Sequence, residues 1–159
     1  MYAKMMEATA FAVGAAENAT LNDASYPRFA DVMTSQGYDW EAIKVTTDDH
    51  YILTTFHILG KTDGSTKAAT EGSVLIQHGL FEDGTSWLED YANLNEKSFQ
   101  LQLVDAGYDV WIGSNRGTEY SWEHETLSVD DGAYWEFTWA EMGMYDDPAN
   151  IAAIKKATG

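Results

Sequence analysis

The sequence contains no cysteine and few basic residues, and both shortages narrow the chemistry open to it. Without cysteine the chain can form no disulfide framework, no thiolate zinc site and no cysteine nucleophile. It has 9 Lys and Arg against 26 Asp and Glu, which gives a formal net charge of −17. This charge argues against binding to nucleic acid phosphates and against electrostatic docking on anionic lipid. We therefore expect no nucleic acid partner.

Long apolar runs are also missing. No run approaches the roughly 20 residues that a membrane-spanning helix needs, so we expect no transmembrane segment. Residues 1–16 have a weak signal-peptide shape, but Glu7 stands just before the short apolar stretch, and we favour an amphipathic helix there. Asn18-Ala-Thr20 is a glycosylation sequon that matters only if the chain is secreted. The cellular compartment stays open.

The remaining composition is that of a folded domain. With 159 residues, 45% of them hydrophobic and 13% aromatic, the chain can form one domain with one core. We interpret the acidic residues as a solvated surface, with an acidic compartment or a basic partner as alternatives. We divide the chain into a helical N-terminal extension, residues 1–27, and a domain formed by residues 28–159.

The first elements of that domain are a short helix and a hairpin. Residues 28–37 place Phe29, Val32 and Met33 on one helical face, and Gly37 ends the helix. Residues 41–47 alternate between apolar and polar side chains, and residues 51–59 form a second β-rich run. The polar residues between them, at 48–50, predict a hairpin turn, and residues 61–72 read as a loop.

The later elements alternate between strand and helix. Short apolar runs at 74–77 and 108–112 are typical of strands buried on both faces of a sheet, and the patterns at 85–106 and 135–158 predict helices. Alternation of this kind predicts an α/β fold with a mostly parallel sheet, preceded by the antiparallel N-terminal hairpin. In this arrangement the strand at 108–112 is an apolar edge strand, whose unpaired backbone groups can pair with another polypeptide.

Four stretches carry a resemblance to a known family. They are Val45-Thr-Thr-Asp-Asp-His-Tyr-Ile-Leu53, Ser73-Val-Leu-Ile-Gln-His-Gly-Leu80, Tyr108-Asp-Val-Trp-Ile-Gly-Ser-Asn-Arg-Gly117 and Trp135-Glu-Phe-Thr-Trp-Ala-Glu-Met-Gly-Met-Tyr-Asp-Asp-Pro-Ala-Asn-Ile151. In this order they resemble the acid lipase family of the α/β-hydrolase fold, which includes gastric and lysosomal acid lipases and steryl-ester lipases. The resemblance extends from Gly37 to Gly159.

The resemblance implies a partial α/β-hydrolase fold, with residues 28–159 as the N-terminal half of a lipase domain. In the family, the strand and nucleophile elbow that carry the catalytic serine come next, so the resemblance implies that this chain lacks them and everything after them. One departure is His50, where the family usually has glycine in the hairpin turn. Histidine tolerates a left-handed turn better than most residues, so we expect the hairpin to survive.

The resemblance also assigns an oxyanion loop to His78, Gly79 and Leu80. Ester hydrolysis in this fold needs two backbone N–H groups that hold the oxyanion, and the N–H of Leu80 would be one of them. Glycine at position 79 would let the backbone approach the substrate. The alternative interpretation is a strand-ending turn with a packed histidine.

A second segment, residues 113–117, has the outer glycines of a nucleophile elbow but not its serine. Its centre is Asn115, whose amide cannot attack an ester. We interpret Gly113, Asn115, Arg116 and Gly117 as a structural turn, with Arg116 in an ion pair or hydrogen bond. No Gly-x-Ser-x-Gly occurs anywhere in the sequence.

The other polar residues receive structural interpretations. His57 and His124 lack the spacing of a zinc motif, and the paired aspartates at 48–49, 130–131 and 146–147 lack calcium-loop spacing. We therefore predict no cofactor, no metal and no catalytic residue of the triad in this chain. Four aromatic residues near the C-terminus are expected in the core rather than in contact with lipid: Tyr134, Trp135, Phe137 and Trp139.

Two hypotheses for function follow. In the first, the chain is the N-terminal segment of an acid-lipase-like carboxylic ester hydrolase, inactive alone, that acts on a lipid ester only where another source supplies the triad. In the second, it is a non-catalytic structural subunit derived from a lipase, which docks its open sheet edge on a larger assembly. Both predict another polypeptide that completes or covers the sheet. If the chain follows its family, its location is secreted or lysosomal.

Overall fold

A computed structural model describes residues 25–86, 88 and 97–159. The predicted N-terminal helix and the sequon therefore lie outside the described residues, as do residues 87 and 89–96 of the predicted helix at 85–106. Among the described helices, none combines the length and the apolar character that crossing a bilayer requires.

The first helix, α1, spans Pro27–Gln36 and confirms the prediction for residues 28–37. Proline suits the first turn of a helix because its missing N–H would be unpaired there. Gly37 ends the helix in the left-handed conformation, with φ of 74°, and its N–H bonds the carbonyls of Met33 and Thr34. The predicted apolar face is correct, since Phe29, Val32 and Met33 are all buried.

The hairpin predicted at 41–59 is also confirmed. Strand β1, Tyr38–Thr46, pairs antiparallel with β2, Tyr51–Lys61. His50 adopts φ of 74° in the turn, the left-handed conformation anticipated for it. The Thr47 hydroxyl stabilises the same turn, because it donates to Asp49 Oδ1 at 2.7 Å and accepts the N–H of Tyr51 at 2.9 Å.

The sheet is mixed, and the prediction of a mostly parallel sheet is wrong for the described residues. Its strand order is β1-β2-β4-β3, where β3 is Ser73–Gln77 and β4 is Asp109–Gly113, and a short β5, Glu123–His124, also pairs with β2. Among the described strands, β3 and β4 are the only pair that runs parallel. The long strand β2 pairs antiparallel with β1, β4 and β5, so antiparallel pairing predominates.

This order also corrects the predicted edge. Strand β4, predicted to be an apolar edge at 108–112, lies inside the sheet between β2 and β3. Among the described residues the edge strands are β1 and β3, and the side chains of β3 from Val74 to Gln77 are only half-buried. Its apolar sequence led to a prediction of burial on both faces, but an edge strand loses the cover of one neighbour.

The helices after the sheet strands are more broken than the periodicity predicts. Helix α2, Phe99–Ala106, begins after Ser98, whose side chain accepts the N–H of Leu101, so no single helix runs from 85 to 106. The predicted helix at 135–158 starts four residues later, with α3, Trp139–Glu141, which Thr138 and Glu141 cap reciprocally. A π-helical turn, Met142–Asp146, leads into α4, Asp147–Thr158, which has a proline in its first turn.

Helices cover both faces of the sheet, and each face has its own apolar cluster. On one face, α1 and α2 pack on strand residues such as Phe56 and Ile112, and the rings of Phe29 and Phe56 stack 3.8 Å apart. On the other face, Ala149 and Ala153 of α4 pack with Leu53 and Tyr134. The domain therefore has three layers, helix, sheet and helix.

A row of polar side chains crosses the sheet on the α4 side. Glu41 Oε1 lies 3.0 Å from His57 Nδ1, and His57 Nε2 lies 2.6 Å from Asp109 Oδ1. Asp109 Oδ2 accepts from the hydroxyl of Ser73 at 2.8 Å and from the indole N–H of Trp111 at 2.6 Å. The row therefore links β1, β2, β4 and β3 in spatial order.

Asp109 is the most connected member of this row. Burial alone would raise the pKa of its carboxyl, but hydrogen bonds from Trp111, Ser73 and His57 outweigh burial and hold the pKa below its ordinary value of 3.8. A group whose pKa is lowered by folding stabilises the fold above its unfolded pKa, and this stabilisation is lost as the pH falls through the folded pKa.

We therefore expect Asp109→Asn to destabilise the protein near pH 6 by about 1–3 kcal/mol, because it removes a charged acceptor of several hydrogen bonds. The difference from the wild type should shrink as the pH falls below 3.8. Urea unfolding of both proteins between about pH 6 and pH 2.5 measures this. The exposed Asp130→Asn variant is the control, with an expected change under about 0.5 kcal/mol at every pH. A difference independent of pH would contradict the assigned role.

Candidate functional site

The candidate site is formed by two loops that leave the sheet side by side. Strands β3 and β4 are parallel, and their last residues, Gln77 and Gly113, are paired in register. The carboxyl ends of adjacent parallel strands lie at one edge of a sheet, which is where α/β folds place their ligand sites. The loop at 78–82 therefore lies beside the turn at 114–117.

His78 joins these two loops. Its Nε2 accepts the backbone N–H of Asn115 at 3.0 Å, and an accepting Nε2 carries no hydrogen. The ring hydrogen is therefore on Nδ1, which lies 2.8 Å from the carbonyl oxygen of Gly79 and donates to it. The ring is buried, so it is a packed histidine that also organises the loop.

The loop itself is a tight turn from Gly79 to Glu82. The N–H of Gly79 donates to Glu82 Oε2 at 3.0 Å, and the N–H of Glu82 donates to the Gly79 carbonyl at 3.2 Å. Phe81 adopts φ of 67°, which is rare for a bulky residue and costs on the order of 1–3 kcal/mol. Backbone strain of this kind concentrates at functional sites.

Leu80 lies at the exposed tip of this turn. Its side chain is 66% exposed and that of Phe81 is 98% exposed. Within the part of the chain that the structure describes, the backbone N–H of Leu80 donates to no protein acceptor. The turn thus presents an available backbone donor next to two consecutive exposed apolar residues.

Of the four residues that we expected to form a structural turn, Asn115, Arg116 and Gly117 lie in the neighbouring turn, and Gly113 is the last residue of β4. A Cβ on Gly113 would lie 2.3 Å from Gln77 Oε1 and 3.1 Å from Asn150 Nδ2, so only glycine lets these amides close over the end of β4. Gly117 has φ of 76° and lies against the Phe137 ring. The Asn115 carbonyl accepts the hydroxyl of Thr118 at 2.7 Å.

Arg116 is buried at the centre of this turn. Its Nε donates to Asp146 Oδ1 at 2.8 Å, and its backbone N–H donates to Asp146 Oδ2 at 3.0 Å. Its two terminal nitrogens bind Asp49 in bidentate fashion, at 2.5 and 2.8 Å. The guanidinium carbon also lies 3.9 Å from the centre of the Tyr51 ring.

These contacts favour the ionised forms of Arg116 and Asp49, whereas burial raises the pKa of the Asp146 carboxyl above its ordinary value of 3.8 despite its hydrogen bonds from Arg116. Burial alone would lower the pKa of Arg116, but hydrogen bonds and charge interactions with Asp49 and Asp146 raise it above its usual range. Burial would likewise raise the pKa of Asp49, but Arg116 and Thr47 outweigh burial and lower it. The cluster therefore holds a fixed positive charge on Arg116, which the Asp49 carboxylate compensates and to which Asp146 is hydrogen-bonded.

Several buried polar atoms around the two loops lack a protein partner within the described residues. They are Gln77 Oε1 and Nε2, Ser114 Oγ, Asn115 Oδ1 and Asn150 Nδ2. Buried groups of this kind are rare and call for an explanation, such as water or a further chemical partner. No sequence pattern marks Gln77 or Asn150 as a site residue, and their distance in sequence gives no signal that both lie against Gly113.

The aromatic residues near the C-terminus divide between core and surface. Tyr134 is fully buried and Phe137 packs beside it, as predicted. The core prediction is wrong for Trp135, which is 50% exposed, and for Trp139, which is 81% exposed. A 3₁₀ turn, Gly132–Trp135, turns Tyr134 inward and its neighbour outward, and Trp139 lies on the first turn of a surface helix.

The remaining histidines have local partners. His57 belongs to the polar row across the sheet, and His124 Nδ1 accepts the N–H groups of Thr126 and Leu127 at 3.0 and 3.2 Å. Across the described residues, no group of three or more acidic or histidine side chains is arranged to hold a metal ion.

Comparison with known proteins gives consistent matches. A family model described as a partial alpha/beta-hydrolase lipase region matches residues 29–91. Lipase member N of Homo sapiens is 42% identical over 133 residues, which cover 82% of this chain and 32% of that protein. Lipase member M of Mus musculus is 38% identical over 138 residues, covering 85% of this chain and 31% of the relative.

Gastric triacylglycerol lipase of Rattus norvegicus is 37% identical over 130 residues, which cover 82% of this chain and 32% of that lipase. The chain thus spans about a third of the length of the curated relatives that it matches.

The Arg116 cluster yields a stability prediction. Arg116→Met leaves the fully buried Asp146 without its counter-charge, so we expect a loss of about 3–5 kcal/mol in the free energy of unfolding. Arg116→Lys should recover only part of this loss, because an ammonium cannot reproduce the bidentate contact with Asp49.

Lys61→Met is the matched control, because it breaks a partly exposed pair with Asp105 at 3.2 Å. We expect it to change stability by about 0–1 kcal/mol. Urea unfolding at neutral pH compares the three variants. If the free energy of unfolding of Arg116→Met lies within about 1 kcal/mol of the wild-type value, the cluster does not stabilise the fold as a buried ion pair should.

Proposed function

This chain belongs to the acid lipase family of the α/β-hydrolase fold, of which it represents an N-terminal portion, and we propose that it contributes to a carboxylic ester hydrolase. Its contribution is the oxyanion loop formed by His78, Gly79 and Leu80. The observation that carries the proposal is the N–H of Leu80, which stands at the carboxyl end of a parallel strand with no protein acceptor among the described residues.

The chemistry requires more than this loop. A serine hydroxyl attacks the ester carbonyl while a histidine takes its proton, and the resulting oxyanion is held by two backbone N–H groups. Return of the proton to the leaving alcohol gives an acyl-serine, which water then hydrolyses. The Leu80 N–H would donate to the oxyanion in both halves of the reaction, a contribution typically worth about 3–4 kcal/mol.

The triad would come from residues other than these 159. The sequence contains no Gly-x-Ser-x-Gly, and we propose that the serine, the acid and the base lie on further residues of the same polypeptide or on an accompanying one. By itself the chain would then be inactive. Under this proposal its triad-bearing partner completes the sheet beside β3.

The proposed substrate is a lipid ester. One relative is named a gastric triacylglycerol lipase, and a Crotalus adamanteus relative, 37% identical over 131 residues, is named a putative lysosomal acid lipase/cholesteryl ester hydrolase. The exposed side chains of Leu80 and Phe81, which follow the available N–H in the chain, suit an apolar acyl or alcohol group.

A second candidate function rests on the edge of the sheet. Strand β3 has no pairing strand on its outer side among the described residues, and both amide atoms of Gln77 at its end are buried and unpaired. A non-catalytic subunit could dock this edge on a larger assembly by adding a strand to the sheet. In this case the assembly would contain no reactive serine.

Replacing Leu80 tests the oxyanion proposal directly. Leu80→Pro removes the N–H, whereas Leu80→Ala keeps the N–H and shortens the side chain. In the protein together with the residues that carry the serine, we expect Leu80→Pro to lower kcat by about 10²–10³-fold with little change in KM. Leu80→Ala should keep most of kcat. Equal kcat values for Leu80→Pro and the wild type would contradict the proposed oxyanion role of the Leu80 N–H.

A fluorophosphonate probe separates the two candidate functions. It labels activated serines, so the native protein should be purified from its source with any polypeptide that accompanies it, labelled, and mapped by mass spectrometry. The hydrolase proposal expects one labelled serine outside residues 1–159. A stable assembly with no labelled serine supports the structural subunit instead.

A further inference from the structure

His78 contacts backbone groups on both loops of the candidate site. Its Nδ1 lies 2.8 Å from the Gly79 carbonyl oxygen, and its Nε2 accepts the N–H of Asn115 at 3.0 Å. The same Gly79 carbonyl also accepts the N–H of Glu82 at 3.2 Å. Both lone pairs of this carbonyl are therefore occupied, one of them by the buried histidine ring.

The carbonyl of Gly79 and the N–H of Leu80 belong to one peptide group. The described residues contain no cis peptide bond, and in a planar trans peptide the C=O and N–H point in opposite directions. A ring that fixes the carbonyl on one side therefore fixes the direction of the N–H on the other. Glu82 holds the preceding N–H of Gly79 at 3.0 Å, so rotation of the neighbouring peptide is restrained as well.

We propose that His78 is a positioning residue that aims the Leu80 N–H into the candidate site by clamping the Gly79–Leu80 peptide from its opposite side. This inference rests on the proposed function for its consequence in catalysis, although the clamp itself is a property of the free chain. Asn115 has a defined part in it, because its N–H occupies Nε2 and thereby keeps the ring hydrogen on Nδ1, facing Gly79.

A histidine that only fills space would differ in a measurable way. It would have no preferred ring tautomer, and its replacement by an apolar ring of similar volume would leave the loop unchanged. The clamp requires hydrogen on Nδ1 and none on Nε2, because the opposite tautomer would place two N–H groups 3.0 Å apart at Asn115.

Nuclear magnetic resonance of the isotope-labelled native protein tests the clamp without any activity assay. Long-range proton–nitrogen correlations distinguish a protonated ring nitrogen from a bare one. We expect the His78 ring to have hydrogen on Nδ1 alone near neutral pH, with a coupling pattern that excludes rapid exchange between tautomers. Hydrogen on Nε2, or an equal mixture of tautomers, would overturn the inference.

Variants connect the clamp to the Leu80 peptide. His78→Phe keeps a ring but removes both hydrogen bonds, and His78→Asn restores a short side-chain donor near the position of Nδ1. We expect His78→Phe to shift the Leu80 amide resonance and to speed its hydrogen exchange, and His78→Asn to reverse part of both changes. An unchanged Leu80 amide in a folded His78→Phe protein would also overturn the inference.

The matched control is His124→Phe. His124 likewise organises a loop through its Nδ1, which accepts the N–H groups of Thr126 and Leu127, but it has no contact with Leu80. We expect its replacement to alter local resonances around 124–127 and to leave the Leu80 amide as it was.

With the triad-bearing residues present, kinetics show whether the clamp serves catalysis. His78→Phe should lower kcat by up to about 10²-fold, the effect typical of a misplaced catalytic group, with KM nearly constant and partial recovery in His78→Asn. If the tautomer and the Leu80 amide behave as expected but Leu80→Pro leaves kcat intact, the clamp stands and the oxyanion proposal fails. If Leu80→Pro abolishes activity and His78→Phe does not lower kcat, the positioning role fails alone.

Discussion

The buried charge of Arg116 is the constraint on which the arrangement of the loops depends. A guanidinium taken out of water needs compensating carboxylates with good geometry, or the fold loses several kcal/mol. Asp49 comes from the hairpin turn and Asp146 from the π-helical turn before α4, so one cation fixes three segments that are distant in sequence. The interaction is stabilising only because both partners are placed at hydrogen-bonding distance.

The same cluster reaches the candidate site through a single residue. The backbone N–H of Arg116 bonds Asp146, which sets the path of the turn after β4. The preceding N–H, that of Asn115, then points at His78, and His78 in turn holds Gly79. A chain of direct contacts thus runs from the buried ion pair to the peptide of Leu80. Loosening the cluster should therefore disturb the loop as well as the stability of the fold.

The sequence predicted the first helix and the hairpin well, but it predicted poorly which strands are adjacent in the sheet. Helix α1 and the hairpin followed from local patterns, including the left-handed turn at His50, because their determinants lie within a few residues of one another. Which strands pair is decided by contacts between distant segments, and no period in the sequence records that β4 enters between β2 and β3. For the same reason the strand predicted to be the edge is interior, and the strand predicted to be fully buried is half-exposed.

For the candidate site, the family motifs predicted the loop at 78–80 and the turn at Arg116, but not the residues that contact them. Asp49 and Asp146 appeared in the sequence only as members of two aspartate pairs without calcium-loop spacing, since nothing in their spacing reveals a shared cation. Nothing in the sequence indicated which aromatic residues near the C-terminus are buried and which are exposed, because the interruption of the helix after residue 135 decides which rings face solvent. Residue types were informative about local chemistry, whereas long-range geometry supplied the contacts that orient it.

Most of the buried polar groups that lack partners among the described residues lie at one end of the sheet. Stacked rings join α1 to β2, the polar row joins β1, β2, β4 and β3, and the Arg116 cluster joins the hairpin turn to the turns after β4 and before α4. Five of the seven unpaired buried side-chain atoms among the described residues lie where β3 and β4 end, at Gln77, Ser114, Asn115 and Asn150. Since buried polar groups normally find partners, this end of the sheet is where a further polypeptide segment or water would be stabilised. Both candidate functions place a polypeptide at the edge of β3. They differ in whether that polypeptide supplies a catalytic serine near the available N–H of Leu80.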